Sequence, residues 1–234
     1  MSESLPRRER NMADKSRRIL SAAAELFDEH GYAGVTTQQI ADRADVAAGT
    51  VFRYADSKAE LLLAVLNERI AAAVDEGARD AATVPDPVDA VAALLAPLLR
   101  SAARTPHDTA VYQRELMFGG RGEGGGEGGS SVGRYRREGL RVIDDLEARI
   151  GEIIAPLAAD GPARVAARSI FAATHIFLVQ PSLGLGHDAD QLRAQVAQIV
   201  AGARTEAPAH AATPPRRHAS AHEGGTPPEG EDHE

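Results

Sequence analysis

VTTQQIADRADVAAGTVFRYADSKAEL, residues 35–61, decides the fold. Thr36 stands three residues before Gln39, the spacing of a capping box. In that motif the hydroxyl accepts a backbone N–H of the first helical turn while the amide reaches back to the cap. The spacing predicts a short helix from Thr37 to about Ala44, with Ile40, Ala41 and Ala44 inward. Asp45-Val46 then makes a tight turn, because Asp tolerates the left-handed conformation better than any β-branched residue. A second short helix follows over about Ala47 to Tyr54, with Val51 facing the first. Ser57 and Glu60 repeat the capping-box spacing, so a long helix begins at Lys58. Two short helices joined by a tight turn and locked onto an upstream helix form a helix-turn-helix.

Upstream, Ile19, Ala23, Leu26 and Phe27 recur at helical spacing and predict a helix from about Ala13 to His30, stopped by Gly31. Residues 1–12 read as a flexible basic arm, which is either a disordered terminus or a DNA-contacting one. Tyr32 and Val35 belong to the core beneath the helix-turn-helix. Downstream, Leu62, Leu66, Ile70 and Val74 mark one face of the helix that begins at Lys58. Thr83-Val84-Pro85-Asp86-Pro87 is a linker. Val88, Val91, Leu95 and Leu98 mark the next helix, which Pro97 should kink. Residues 107–118 form a further helix.

Residues 119–130 hold eight glycines in twelve positions and cannot bury enough surface to offset their ordering entropy. They read as a flexible loop over 119–133, since no Lys-Ser/Thr follows them to make a phosphate cradle. Leu140, Ile143, Leu146, Ile150, Ile153 and Leu157 continue at helical spacing up to a break at Ala159–Pro162. A helix rich in small residues then runs to Pro181, and a last one from Ala189 to about Ala203. Residues 204–234, rich in Pro, Gly, His and acid, read as a disordered tail. Nothing alternates with period two, so the chain is all-α. The reading divides it into an arm (1–12), a helix-turn-helix head (13–58), a helical regulatory and dimerisation body (59–203) and the tail.

Composition narrows the function classes. The chain has 234 residues, 43% hydrophobic but only 4% aromatic, a mixture that suits packed helices. It has no cysteine, which excludes disulfides, thiolate metal sites and cysteine nucleophiles. No apolar run reaches transmembrane length and no signal-peptide segment is evident, so a cytoplasmic, nucleoid-associated protein with no membrane partner is expected. The net charge is −8, an awkward sign for a DNA binder. Residues 1–58 carry equal numbers of basic and acidic groups, however, so the excess acid lies in the rear half. Held more than a Debye length of about 8–10 Å from a duplex, that charge is tolerable.

At IADRADVAAGTVFRYADSKAEL the sequence resembles the signature of the tetracycline-repressor (TetR) family of bacterial transcriptional regulators, over about Arg17 to Leu66. The Gly-Thr pair, the aromatic two residues on, and the Ser-Lys-x-Glu-Leu run stand at the family's offsets. Four positions depart from it. Asp45 replaces the turn Gly, and Ala47 replaces the usual Ser, a lost N-cap worth about 1 kcal/mol. Phe52 replaces the Tyr whose hydroxyl meets a phosphate, and Ala55 replaces a core Phe.

The resemblance implies that the second short helix enters a major groove, wide enough for one helix. Ala48, Gly49, Phe52 and Arg53 would then face outward. Arg53 is the side chain able to reach guanine O6 and N7 in bidentate fashion, or else a phosphate, and Gln38 would read adenine. Thr37, Thr50, Tyr54 and Lys58 would hold the backbone, Thr37 and Lys58 at helix starts that favour a phosphate. The last two helices resemble the family's dimerisation pair, implying a homodimer on a palindromic double-stranded operator. The middle helices would enclose a small, largely apolar effector, with Leu94, Leu98, Tyr112, Leu116, Phe118, Ile143, Phe171, His175 and Phe177 as candidate lining. The family implies a repressor released when the ligand tilts the helix over residues 57–79. No cofactor, metal or catalytic residue is expected. Two rivals stand beside this reading: a ligand-independent DNA-binding regulator with a filled pocket, and a helical enzyme, for which no nucleophile elbow or metal-spaced His pair is present. His210, His218, His222 and His233 are too dispersed to make a strong metal site.

Overall fold

The computed structural model describes residues 7–119, 133–157, 160–186 and 188–204. Among them every regular element is helical. A head is built from α1 (Arg7–His30), α2 (Thr37–Arg43) and α3 (Ala48–Val51). A body follows, made of α4 (Lys58–Ala81), α5 (Pro87–Arg104), α6 (Pro106–Phe118), α7 (Arg134–Ile154), α8 (Asp160–Val179) and α9 (Ala189–Arg204). The starts are chemically marked. Ser57 Oγ accepts from Glu60 N–H, Asp86 accepts from the Val88 and Asp89 amides, and Asp188 accepts from those of Asp190 and Gln191. Each satisfies donors that a helix start leaves free. Among the described residues no helix is long and apolar enough to cross a membrane.

Two apolar clusters organise the packing. The first joins Ile19, Ala23, Phe27, Ile40, Val51 and Leu61–Leu66 to Tyr112, Leu116 and Tyr135. The second joins Val74, Leu94, Leu95, Ile150, Ile170, Phe177, Val196 and others across α4, α5, α7, α8 and α9. Helix α4 passes through both, so the head's core does not end at residue 58. Gly77 lets α4 and α5 touch backbone to backbone, since a Cβ there would run into the Leu94 carbonyl.

Two expectations need correcting. Helix α1 starts at Arg7, so the arm expected over 1–12 is helical from that residue; its Arg, Glu, Met and Ala are good helix formers. Helix α3 is a single turn, and Phe52 to Tyr54 continue as hydrogen-bonded turns with Arg53 N–H on Thr50 O at 3.1 Å. Its start lacks a side-chain cap at Ala47. Pro97 lies buried within α5, where the apolar pattern placed it, and the helix continues past it for seven residues to Arg104. The arm's residues 1–6, the Gly-rich loop between Gly119 and Gly133, and the tail beyond Arg204 with its four histidines lie outside the described residues.

Candidate nucleic-acid interface

The capping box forms in full: Gln39 N–H donates to Thr36 Oγ1 at 3.2 Å, and Thr36 N–H donates to Gln39 Oε1 at 2.7 Å. Asp45 takes φ +52°, the left-handed turn its side chain tolerates. Val46 N–H then reaches Ala41 O at 3.0 Å, closing the angle between α2 and α3. Val51 is fully buried, and this orients the single turn of α3. Gly49, Phe52 and Arg53 are consequently exposed, Ala48 and Thr50 partly so. Nothing lies within 4 Å of where a Cβ on Gly49 would stand, so the backbone there is open to close approach.

The remaining sequence-derived contacts divide. Thr37 is partly buried at the start of α2 and Gln38 is exposed beside it, its amide on Asp42 Oδ1 at 2.8 Å. Tyr54 is half-turned into the head core. Lys58 is partly buried and directs its ammonium into the head. Its ammonium donates to Tyr32 O at 2.8 Å and Val35 O at 2.7 Å, 4.2 Å from the centre of the Tyr32 ring. Partial burial lowers its pKa. Two carbonyls of the loop after α1, of which that of Tyr32 also accepts the Val35 amide at 3.4 Å, attract the charge inward.

Several of the cations around the head are turned onto its own acids. Arg43 bridges Glu25 and Glu29, Arg18 lies near Asp14 and Asp45, and Arg69 of α4 holds Asp28 in bidentate fashion. Arg53, by contrast, has no ion pair among the described residues. It edges an open groove of about 860 Å³ between α1 and α4, with Arg17, Arg69 and Arg134 on the same walls.

Behind the face, polar contacts cluster where head and body meet, and sequence reasoning missed all of them. Asp108 of α6 is buried and accepts the Tyr32 amide at 2.9 Å. Buried Asn67 of α4 accepts from Tyr112 Oη at 2.8 Å and donates to Tyr135 O at 2.7 Å. Glu60 forgoes the reciprocal half of its capping box for the Tyr135 amide in the first turn of α7, and burial raises its carboxyl pKa. Arg136 caps the end of α6, donating to Leu116 O at 2.8 Å, Met117 O at 3.0 Å and also Gly119 O.

The effector region holds a cavity of only about 30 Å³. Leu98, Tyr112, Leu116, Ile143 and Phe171 of the expected set line it, joined by Ile70, Gln113, Gly139 and Leu146. Leu94 and Phe177 are buried in the body core and Phe118 is 76% exposed at the end of α6, so none of the three lines it. Their apolar character fixed burial for two of them but not which space they faced. His175 is half-buried away from the cavity, and burial lowers its pKa. Gly139 carried a legible signal, a lone glycine inside a helical run. A Cβ there would stand 2.7 Å from Asn67 Oδ1 and 2.8 Å from Leu116 Cδ1. Among the described residues no cluster of three metal-ligating side chains occurs.

Residues 19–65 match the family described as bacterial regulatory proteins, tetR family. Over 108 residues the chain is 35% identical to the HTH-type transcriptional repressor KstR of Mycobacterium tuberculosis, across 45% of this chain and 48% of that protein. The chain therefore spans about half the length of the curated relatives it matches. Among solved structures, a transcriptional regulator from Rhodococcus sp. RHA1 superposes with a TM-score of 0.58 at 18% identity, over 81% of this chain and 97% of that one. The transcriptional regulator FadR of Bacillus subtilis, crystallised in complex with stearoyl-CoA, gives 0.52 at 19% identity, over 81% and 97%. These likenesses extend the shared fold through the helical body.

Proposed function

From the match of residues 19–65 to the tetR family of bacterial regulatory proteins, we propose that the chain is a dimeric repressor of that family acting on a palindromic operator. It acts in the cytoplasm, on the nucleoid. The observation that carries this is the exposed turn of α3, held outward by a buried Val51, a complete capping box and the left-handed Asp45. In this reading Arg53 and Gln38 discriminate bases, Gln38 by leaving Asp42. Thr37, Thr50 and Tyr54 position the phosphates, and Lys58 braces the loop that carries α2.

A dimer is supported by the outer face of α8, where Val165 and Ile176 are exposed, continued by Leu183 and Leu185. Such a stripe on a helix that already packs inward is what a two-fold interface between copies would cover. Binding-site selection from random duplexes tests the reading: enrichment of an inverted repeat supports it, and no enrichment at low salt refutes it.

For control, we propose a small apolar effector that enters between α5, α6, α7 and α8 and enlarges the cavity. A space of about 30 Å³ holds at most a water, so an effector must widen it to enter. The same small volume favours the second reading, a regulator whose pocket is filled and which answers to no ligand. Mobility shifts with a panel of apolar acids and their thioesters, stearoyl-CoA among them because a neighbour of like fold was crystallised with it, separate the two. Release by any member supports induction, and release by none supports the filled pocket.

A further inference from the structure

The recognition turn is unusual in what it leaves uncovered. Phe52 is 51% exposed, while Val51 beside it is fully buried. Ala48 offers only a methyl, and at Gly49 no side chain stands between the backbone and an approaching surface. Scattered apolar residues on a surface need no explanation. This ring, however, sits at the end of a turn whose outward face otherwise holds Arg53 as its one long polar side chain. It has no hydroxyl, so it cannot bond to a phosphate or to a base edge.

The one methyl group that base edges present in a major groove is the C5-methyl of thymine. A phenyl ring pressed against an amino group or carbonyl of another base would strip its water and return no hydrogen bond. Against a methyl it buries apolar surface on both sides. Gly49 lets the backbone come close enough for a rigid ring to reach that depth. We infer that Phe52 selects thymine through its methyl group, at one fixed position in each half-site, beside the base pair that Arg53 contacts. This rests on the DNA-binding reading and names part of the sequence that α3 prefers.

The test uses the full chain and the duplex enriched by selection, with each thymine replaced in turn by deoxyuridine, which removes the methyl and nothing else. The wild-type protein is expected to lose about fourfold in affinity at one thymine per half-site, the worth of one buried methyl group. Phe52→Ala should bind thymine and uracil duplexes alike at that position, with the wild-type salt dependence and melting temperature. Phe52→Leu, which keeps an apolar tip, should retain part of the preference. Wild-type protein indifferent to every thymine methyl, or Phe52→Ala still sensitive to the same one, overturns the assignment while leaving the DNA-binding reading intact. Failure to retain any duplex at low salt overturns both.

Discussion

Head and body both close on apolar cores, but different features fix the angles between their helices. In the head, directional bonds at fixed sequence spacing set the angles: the Thr36–Gln39 box, the Asp45 turn, and Lys58 on two carbonyls. In the body, apolar surfaces meet along α4, α5, α7, α8 and α9. The buried polar links there lie where body meets head, at Asn67, Asp108 and Tyr112. The contrast teaches where each part can yield. A hydrogen-bonded turn is either made or broken, which suits a reader that must present one geometry. A packed apolar joint can open and refill, which suits a cavity that is nearly closed in one state.

The sharpest way to break the contrast is Gly77→Ala, which forces a methyl into the Leu94 carbonyl. Backbone cannot rotate away, so a loss of about 3 kcal/mol is expected in chemical denaturation. A near-neutral result would mean that α4 and α5 slide easily and that the body is loosely packed. Next comes Lys58→Ala, which removes the side-chain donor from the Val35 carbonyl and one of the two donors on the Tyr32 carbonyl and should lower stability by about 2 kcal/mol. Its DNA affinity should keep the wild-type salt slope, whereas a phosphate-bound lysine would flatten that slope by about one unit.

Asp108→Ala tests the link between the regions. Losing the bond to the Tyr32 amide should cost about 1 kcal/mol, and hydrogen exchange at Tyr32 should quicken while that of α9 stays unchanged. In the opposite direction, Asp45→Gly relieves a left-handed residue and should raise stability by about 0.5–1 kcal/mol. The smallest effect belongs to Glu60. Burial raises its folded-state pKa above the ordinary 4.5, so the folded chain holds that proton more tightly than the unfolded one. Its contribution is complete below pH 4.5 and is lost as pH rises through the raised value. Glu60→Gln keeps an acceptor for the Tyr135 amide and should flatten the stability curve across that window.

The same contrast explains what was legible. Capping boxes and a turn aspartate are local rules, so the helix-turn-helix could be read residue by residue down to the sign of φ at Asp45. Ile40, Ala41, Ala44 and Val51 fell inward as their spacing required. Long-range bonds leave no such trace. Lys58 faces carbonyls 23 and 26 residues upstream, and Asp108 meets an amide 76 residues away. The cavity was legible only as a list of apolar residues on the middle helices. Which of them face the cavity rather than the core depends on how α6 and α7 lean, and that is set by packing at Gly139 and Leu116.

Arg136 has one more consequence. By gripping the last carbonyls of α6 from the first turn of α7, it staples both shores of the glycine-rich crossing before the crossing begins. Lengthening a span whose ends are already pinned adds only a slowly growing entropy, about 0.6 kcal/mol for each doubling. Evolution or an engineer is therefore free to splice cargo between Gly119 and Gly133, a tag or a whole small domain, without disturbing the joint that carries Tyr112 and Asn67.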